Sequence, residues 1–126
     1  MITEDHVSAE VAKLLRDKGF DEPVLFTIND EGLQQYPKNL DFEYLHNSEL
    51  PANRYACPTI QMALRWLREV YRIDITVDPH DVCGDWIYQF HLCKDKKYRF
   101  SRDISLSYED CAEEAIKYCL ENLMNK

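Results

Sequence analysis

Glycine is scarce in this chain: three residues in 126, Gly19, Gly32 and Gly84, stand far apart. Dinucleotide fingerprints and phosphate-cradling loops need clustered glycines, so neither can be written onto the sequence. A Gly-x-Ser-x-Gly turn is also missing, which excludes serine hydrolases built on that elbow. No apolar run approaches the ~20 residues that a spanning helix requires, so no membrane role is expected. Basic side chains are outnumbered, 15 against 23 acidic, for a formal net charge of −8. An acidic surface works against non-specific binding to phosphate backbones.

The opening Met1-Ile2-Thr3-Glu4-Asp5-His6 has neither the basic start nor the apolar run of a signal peptide. Five cysteines form an odd set, and reduced thiols in a cytoplasmic compartment are the simplest account of them. Eight Tyr, five Phe and two Trp supply core surface, since each aromatic can bury ~150–250 Å². The acid excess is uneven: residues 1–56 carry eleven acids and five bases, residues 57–126 twelve and ten.

Val7, Val11, Leu14 and Leu15 share one helical face, which predicts a helix over residues 4–18 with Thr3 as N-cap and Gly19 as terminator. Phe20 then takes the position from which a Schellman motif contacts the last turn. Val24–Ile28 and Leu33–Tyr36 flank Asn29-Asp30-Glu31-Gly32, a hairpin connection. Residues 37–57 read as an irregular loop in which Leu40–Leu45 can hide a strand. Pro58 suits the first position of a second helix, whose apolar set Ile60, Ala63, Leu64, Leu67, Val70 and Tyr71, flanked by Met62 and Trp66, covers more than half its circumference. Such a helix should be central, packed on both sides.

Three alternating segments follow: Ile73, Ile75, Val77; then Trp86, Tyr88, Phe90, Leu92; then Tyr98, Phe100. Ser107-Tyr108-Glu109-Asp110 opens a last helix with a capping-box pattern and acids near its positive end. The prediction is one α+β domain over residues 1–126. Residues 1–56 hold a helix, a short hairpin and a loop. Residues 57–126 hold helix, three-stranded antiparallel meander and helix, with the helices on one face of the sheet and Trp66 and Trp86 in its core.

Chemistry-bearing residues are few. His80, Cys83, His91 and Cys93 are zinc-type ligands, but a strand over 86–93 would stretch the Cys83-to-His91 step to on the order of 26 Å, whereas ligands converge within ~4 Å. His91 and Cys93 lie two apart on a strand, roughly 6.5–7 Å, too far for direct hydrogen bonding. No metal, cofactor or catalytic residue is expected, and the chain is read as a non-enzyme. The notable polar feature is a guanidinium stripe: Arg65, Arg68 and Arg72, with Gln61, fall within about 60° of arc on the second helix. Lys94, Lys96, Lys97, Arg99 and Arg102 form a second basic cluster. Of these, Arg65, Arg68, Arg72, Lys96, Lys97 and Arg99 are the candidate anion or nucleic-acid contacts. The competing reading is a solvated face paired with the acid-rich first half.

Helix, three strands and helix is also the order found in double-stranded-RNA-binding domains. Their phosphate-facing positions here read Asp78-Pro79-His80-Asp81-Val82-Cys83-Gly84-Asp85 and Glu109-Asp110, which repel phosphate, so the likeness of order transfers no function.

Two stretches, Ala56–Val70 (ACPTIQMALRWLREV) and Tyr108–Leu123 (YEDCAEEAIKYCLENL), resemble a family of short acidic proteins from gut bacteria and their phages and mobile elements. The likeness extends to the Val7–Phe20 helix with Asp21-Glu22, and to Asn47-Ser48-Glu49-Leu50. It implies a cytoplasmic accessory protein and carries over no site residue. The expected function is protein interaction, with a protein partner or self-association through residues 37–57 or the open sheet face (Ile87, Gln89, His91). The alternative is nucleic-acid binding through the arginine stripe and the basic hairpin.

Overall fold

The computed structural model describes residues 5–35, 45–79, 86–92, 97–100 and 107–123, with Gln35 and residues 97–100 described as backbone. The chain is an α+β protein and resolves into two compact units, Met1–Thr59 and Ile60–Lys126.

In the first unit, α1 spans Ala9–Asp17. It starts later than the expected residue 4. The Val7 N–H is spent on the Pro58 carbonyl (3.1 Å) and His6 bridges to Thr59, so the chain stays extended until Ser8 caps the helix, accepting the Val11 N–H. Thr3, the expected cap, lies outside the described residues. The other end is as expected. Gly19 adopts φ +94°, its N–H donates to the Arg16 carbonyl, and the Phe20 N–H reaches back to the Leu15 carbonyl at 2.9 Å. Val11, Ala12, Leu15 and Phe20 are buried, and α1 packs on β1 (Thr27–Asn29) and β3 (Arg54–Ala56).

The hairpin forms in shortened form. β1 pairs with β2 (Gln34–Gln35), Thr27 opposite Gln35 and Ile28 opposite Gln34. Asn29 Oδ1 accepts the N–H groups of Glu31 and Leu33, both at 3.0 Å, and Gly32 at φ +84° closes the turn. β3 was not anticipated. It pairs antiparallel with the other edge of β1, giving the order β2-β1-β3. Leu45 bridges Val24, while residues 36–44, which hold most of the suspected Leu40–Leu45 strand, lie outside the described residues.

In the second unit, α2 spans Ile60–Val70 and buries Ile60, Ala63, Leu64, Trp66 and Leu67. Pro58 is buried just before the helix rather than on its first turn, because Thr59 is still extended against His6. β4 (Ile73–Pro79), β5 (Trp86–Leu92) and β6 (Lys97–Phe100) form a sheet of order β4-β5-β6, each pair antiparallel. Ile75 lies opposite Phe90 and Ile73 opposite Leu92. Directly opposed residues share a face, so Ile73, Ile75, Tyr88 and Phe90 make one buried face, while Asp74, Thr76, Gln89 and His91 lie on the other.

α3 spans Tyr108–Tyr118, capped by Ser107, whose Oγ accepts the Asp110 N–H at 3.0 Å. α2 lies against β4, α3 against β4 and β5, and the two helices touch. Phe90 stacks on Tyr118 (5.5 Å between centroids) and Trp86 meets Tyr108 edge-on. Trp86 is only half-buried, so Tyr88 and Phe90 occupy the place in the core expected for it. Beyond Tyr118 the helix widens to a π turn over Cys119–Leu123, and Asn122 donates to the Tyr118 carbonyl there. Ile116 and Leu120 are fully buried, each worth roughly 1.5–3 kcal/mol.

Candidate functional site

α2 is half of a core and half of a surface. Its inward residues follow the 3.6 period, but the row Met62, Trp66, Val70, spaced i, i+4, i+8, passes from surface through core to surface again. Met62 is 37% exposed, Val70 54%, and Tyr71, the first residue past the helix, 36%. Trp66 between them is buried and meets the Tyr71 ring edge-on at 5.2 Å. The helix packs against the sheet and against α3, as expected, but that cover stops short of its C-terminal end. Its C-terminal end leaves large apolar side chains in contact with water.

The guanidinium stripe is redistributed. Arg65 and Arg68 stand on the exposed side of α2. Arg72 does not belong to the helix: α2 ends at Val70, and Arg72 takes a left-handed conformation (φ 58°) that turns the chain into β4. That conformation crowds a Cβ and costs a non-glycine residue ~1 kcal/mol or more. Gln61, the fourth member, donates to the Tyr108 hydroxyl at 2.9 Å.

The partners of Arg65 and Arg68 are local rather than drawn from the acid-rich first half. Arg65 Nε meets Glu69 Oε1 at 3.0 Å, one helical turn on, and Arg68 meets Asp74 Oδ1 at 3.9 Å. Exposed pairs of this kind contribute about 0.3–0.5 kcal/mol, so they are readily exchanged. Among the described residues Arg72 makes no ion pair.

Lys97 and Arg99 are placed by register alone, opposite Leu92 and Phe90 on β6. Lys94, Lys96 and Arg102 lie outside the described residues. The rows Ile73, Leu92, Lys97 and Ile75, Phe90, Arg99 nevertheless run straight across the sheet. The end of α2 and the start of β6 thus share one end of the sheet.

Of the four zinc-type ligands, His80, Cys83 and Cys93 lie outside the described residues. Among the described residues no group of three His, Cys, Asp or Glu side chains comes within reach of a common ion. His91 is half-buried opposite Asp74. Cys57, Cys111 and Cys119 are buried thiols outside any disulfide. Burial pushes the Cys119 thiol up to about 12, and burial with the nearby Glu114 charge pushes Cys111 up to about 11, which leaves both unreactive as nucleophiles. Cys57 donates its S–H to the Val7 carbonyl at 3.3 Å.

A second polar constellation escaped the sequence reading. An open depression of about 380 Å³ is lined by Arg16, Gly19, Phe20, Asp21, Asn47 and Ser48. Arg16 donates to the carbonyls of Leu50, Pro51 and Arg54 (3.3, 2.9 and 2.6 Å), its guanidinium 5.7 Å from the Tyr55 ring centroid. Asp21 Oδ1 accepts the Ser48 N–H at 2.8 Å, which holds the Asp21 carboxyl below its ordinary range; the Ser48 hydroxyl and His46 act in the same direction, against some desolvation. The Asp21 carbonyl can only accept, so the 2.7 Å contact from His46 Nδ1 fixes the proton on that nitrogen. Tyr55 donates to Asp30 at 2.6 Å, and that bond, helped by desolvation, raises its phenol above the usual value. Nearly all these donors serve the chain's own backbone, so the depression is a clamp holding the segment 45–56 to α1. Its one sequence signal is the short polar run His46-Asn47-Ser48-Glu49, a 3-10 turn over Asn47–Glu49.

Among the described residues no helix is long and apolar enough to cross a membrane. No family model, curated protein or solved structure matches the chain.

Proposed function

We propose that this chain is a non-enzymatic binding or accessory protein, cytoplasmic and of the phage or mobile-element type that its sequence resembles. The observation that carries the reading is the end of α2. Val70 is more than half exposed beside Tyr71, on a helix that buries Ile60, Ala63, Leu64, Trp66 and Leu67, and water-facing apolar side chains gathered at one place mark a contact surface better than scattered ones do. The clamp around Arg16 and Asn47 offers little to a substrate, because its polar groups are spent on backbone. Cys111 and Cys119, buried and held protonated, offer no nucleophile.

Capture of the tagged full chain from host lysate, with and without nuclease, followed by light scattering, tests this. The expected result is a stoichiometric, nuclease-resistant partner, or a defined oligomer, lost when Val70 is changed to Asp. A chain that captures no partner and stays a lone monomer would count against the reading, whereas a partner retained by that change would move the contact surface away from the end of α2.

The nucleic-acid reading keeps one observation in its favour: the sheet register brings the start of β6 level with the residue after Arg72. Against it stand the carboxylates already beside Arg65 and Arg68 and the net charge of −8. A nuclease-sensitive, steeply salt-dependent capture would reverse that preference.

A further inference from the structure

The corner where α2 hands over to β4 combines two properties. Val70 and Tyr71 offer apolar surface, and three arginines, Arg65, Arg68 and Arg72, stand against the single acid Glu69 within residues 60–72, a local charge of +2 on a chain of −8. Arg72 holds a left-handed backbone position that a glycine fills without strain, which puts a cation at the turn itself. The register sets Lys97 in the row of Ile73, two strands across and therefore roughly 10 Å away along the backbone.

We propose that this corner docks an acidic segment of a partner protein, one that carries apolar side chains among its carboxylates. The inference rests on the binding-protein reading and specifies its partner. Charge complementarity selects the occupant. Arg65 and Arg68 already take carboxylates, Glu69 at 3.0 Å and Asp74 at a loose 3.9 Å, so an incoming Asp or Glu replaces like with like. Val70 and Tyr71, which lie between Arg68 and Arg72 in sequence, add exposed apolar surface for which a phosphate backbone has no use. A second copy docked by two-fold symmetry sets one cationic corner against another, which like-charge repulsion opposes.

The test uses the full chain and a fluorescein-labelled synthetic peptide alternating Glu with Leu and Phe. Comparison probes are the same peptide with Gln for Glu and a single-stranded oligonucleotide of equal charge. Anisotropy titrations compare wild type with Arg72→Gly, which removes the cation while relaxing the backbone, and Val70→Asp, which changes an exposed side chain. The acidic peptide is expected to bind, to weaken as salt rises, and to lose affinity by about three- to tenfold in Arg72→Gly and more in Val70→Asp, with the Gln peptide weaker throughout. No binding of the acidic peptide, or binding that neither variant alters, overturns the proposal. So does an oligonucleotide that binds more tightly and loses affinity in the same variants, or a dimer by light scattering that blocks the peptide. The two readings fail separately: a lysate partner retained by both variants removes this corner and leaves the binding protein, whereas the absence of any partner or oligomer removes both.

Discussion

Asn47 reaches Phe20 across twenty-seven positions of sequence: its carboxamide nitrogen donates to the Phe20 carbonyl at 2.7 Å while its oxygen accepts the Ala56 N–H at 2.8 Å. Asn47 is itself buried, so one side chain satisfies two backbone groups that water reaches poorly.

Replacing Asn47 with Ala should therefore be costly. Leaving buried backbone groups unpaired costs on the order of 2–3 kcal/mol, much more than an ordinary surface substitution. Urea unfolding of Asn47→Ala against Ser48→Ala, whose side chain is exposed, provides the comparison; equal midpoints would remove Asn47 from its linking role.

Asp21 gives the first unit an acid limb. Its carboxyl titrates lower in the folded chain than in the unfolded one, because the ionised form accepts the Ser48 N–H. A depressed carboxylate contributes stability above its unfolded value that is lost as pH falls through the folded one. Wild type should lose more stability than Asp21→Asn below about pH 4, read from denaturant midpoints across an acid series. Parallel profiles would show that Asp21 does not contribute.

Gly19 and Arg72 adopt the same kind of backbone with opposite residues. No atom lies within 4 Å of a Cβ built on Gly19, so Gly19→Ala should cost ~1 kcal/mol through φ alone. At Arg72 the sign reverses, and Arg72→Gly should leave stability unchanged or raise it by up to ~1 kcal/mol. Thermal unfolding of both variants checks the pair; a strongly destabilised Arg72→Gly would mean that the arginine side chain holds the fold.

Cys111 and Cys119 should resist alkylation in the native chain. Their thiols sit at about 11 and about 12, so at pH 8 almost none is thiolate, and both are buried. Iodoacetamide treatment with peptide mapping should label neither until denaturant is added. Rapid native labelling at Cys119 would mean that the π turn opens.

Where local chemistry decides the structure, the residues announced it. The Gly19–Phe20 terminator, the Ser107 cap and the burial of Ile73, Ile75, Tyr88 and Phe90 all follow from spacings within a few positions. Three things did not. β3 is a three-residue strand whose partner, Thr27–Asn29, lies far back along the chain, and Arg54-Tyr55-Ala56 has no alternation long enough to register. The start of α1 moved because Val7 and Pro58 claim each other, a bond between distant positions. Arg72 looked helical by angle, yet α2 stops two residues earlier, since periodicity locates a face more reliably than an end. The candidate surface was half legible: the arginines stood out, while the exposure of Val70 and Tyr71 depends on what fails to cover them, which spacing alone does not encode.

The pairing of β1 bears on how the chain acquires its shape. β1 meets β2 across a tight turn but meets β3 only after Thr27 finds Ala56, whereas β4, β5 and β6 each pair with the next strand along the chain. Ring closure grows costlier with length, about 0.6 kcal/mol for each doubling, and must be met before the contact rewards it. Bringing Ala56 back to Thr27 is thus the slow event expected in residues 1–59, and the Arg16 and Asn47 clamp, made largely from the same returning segment, locks in only once that search has ended.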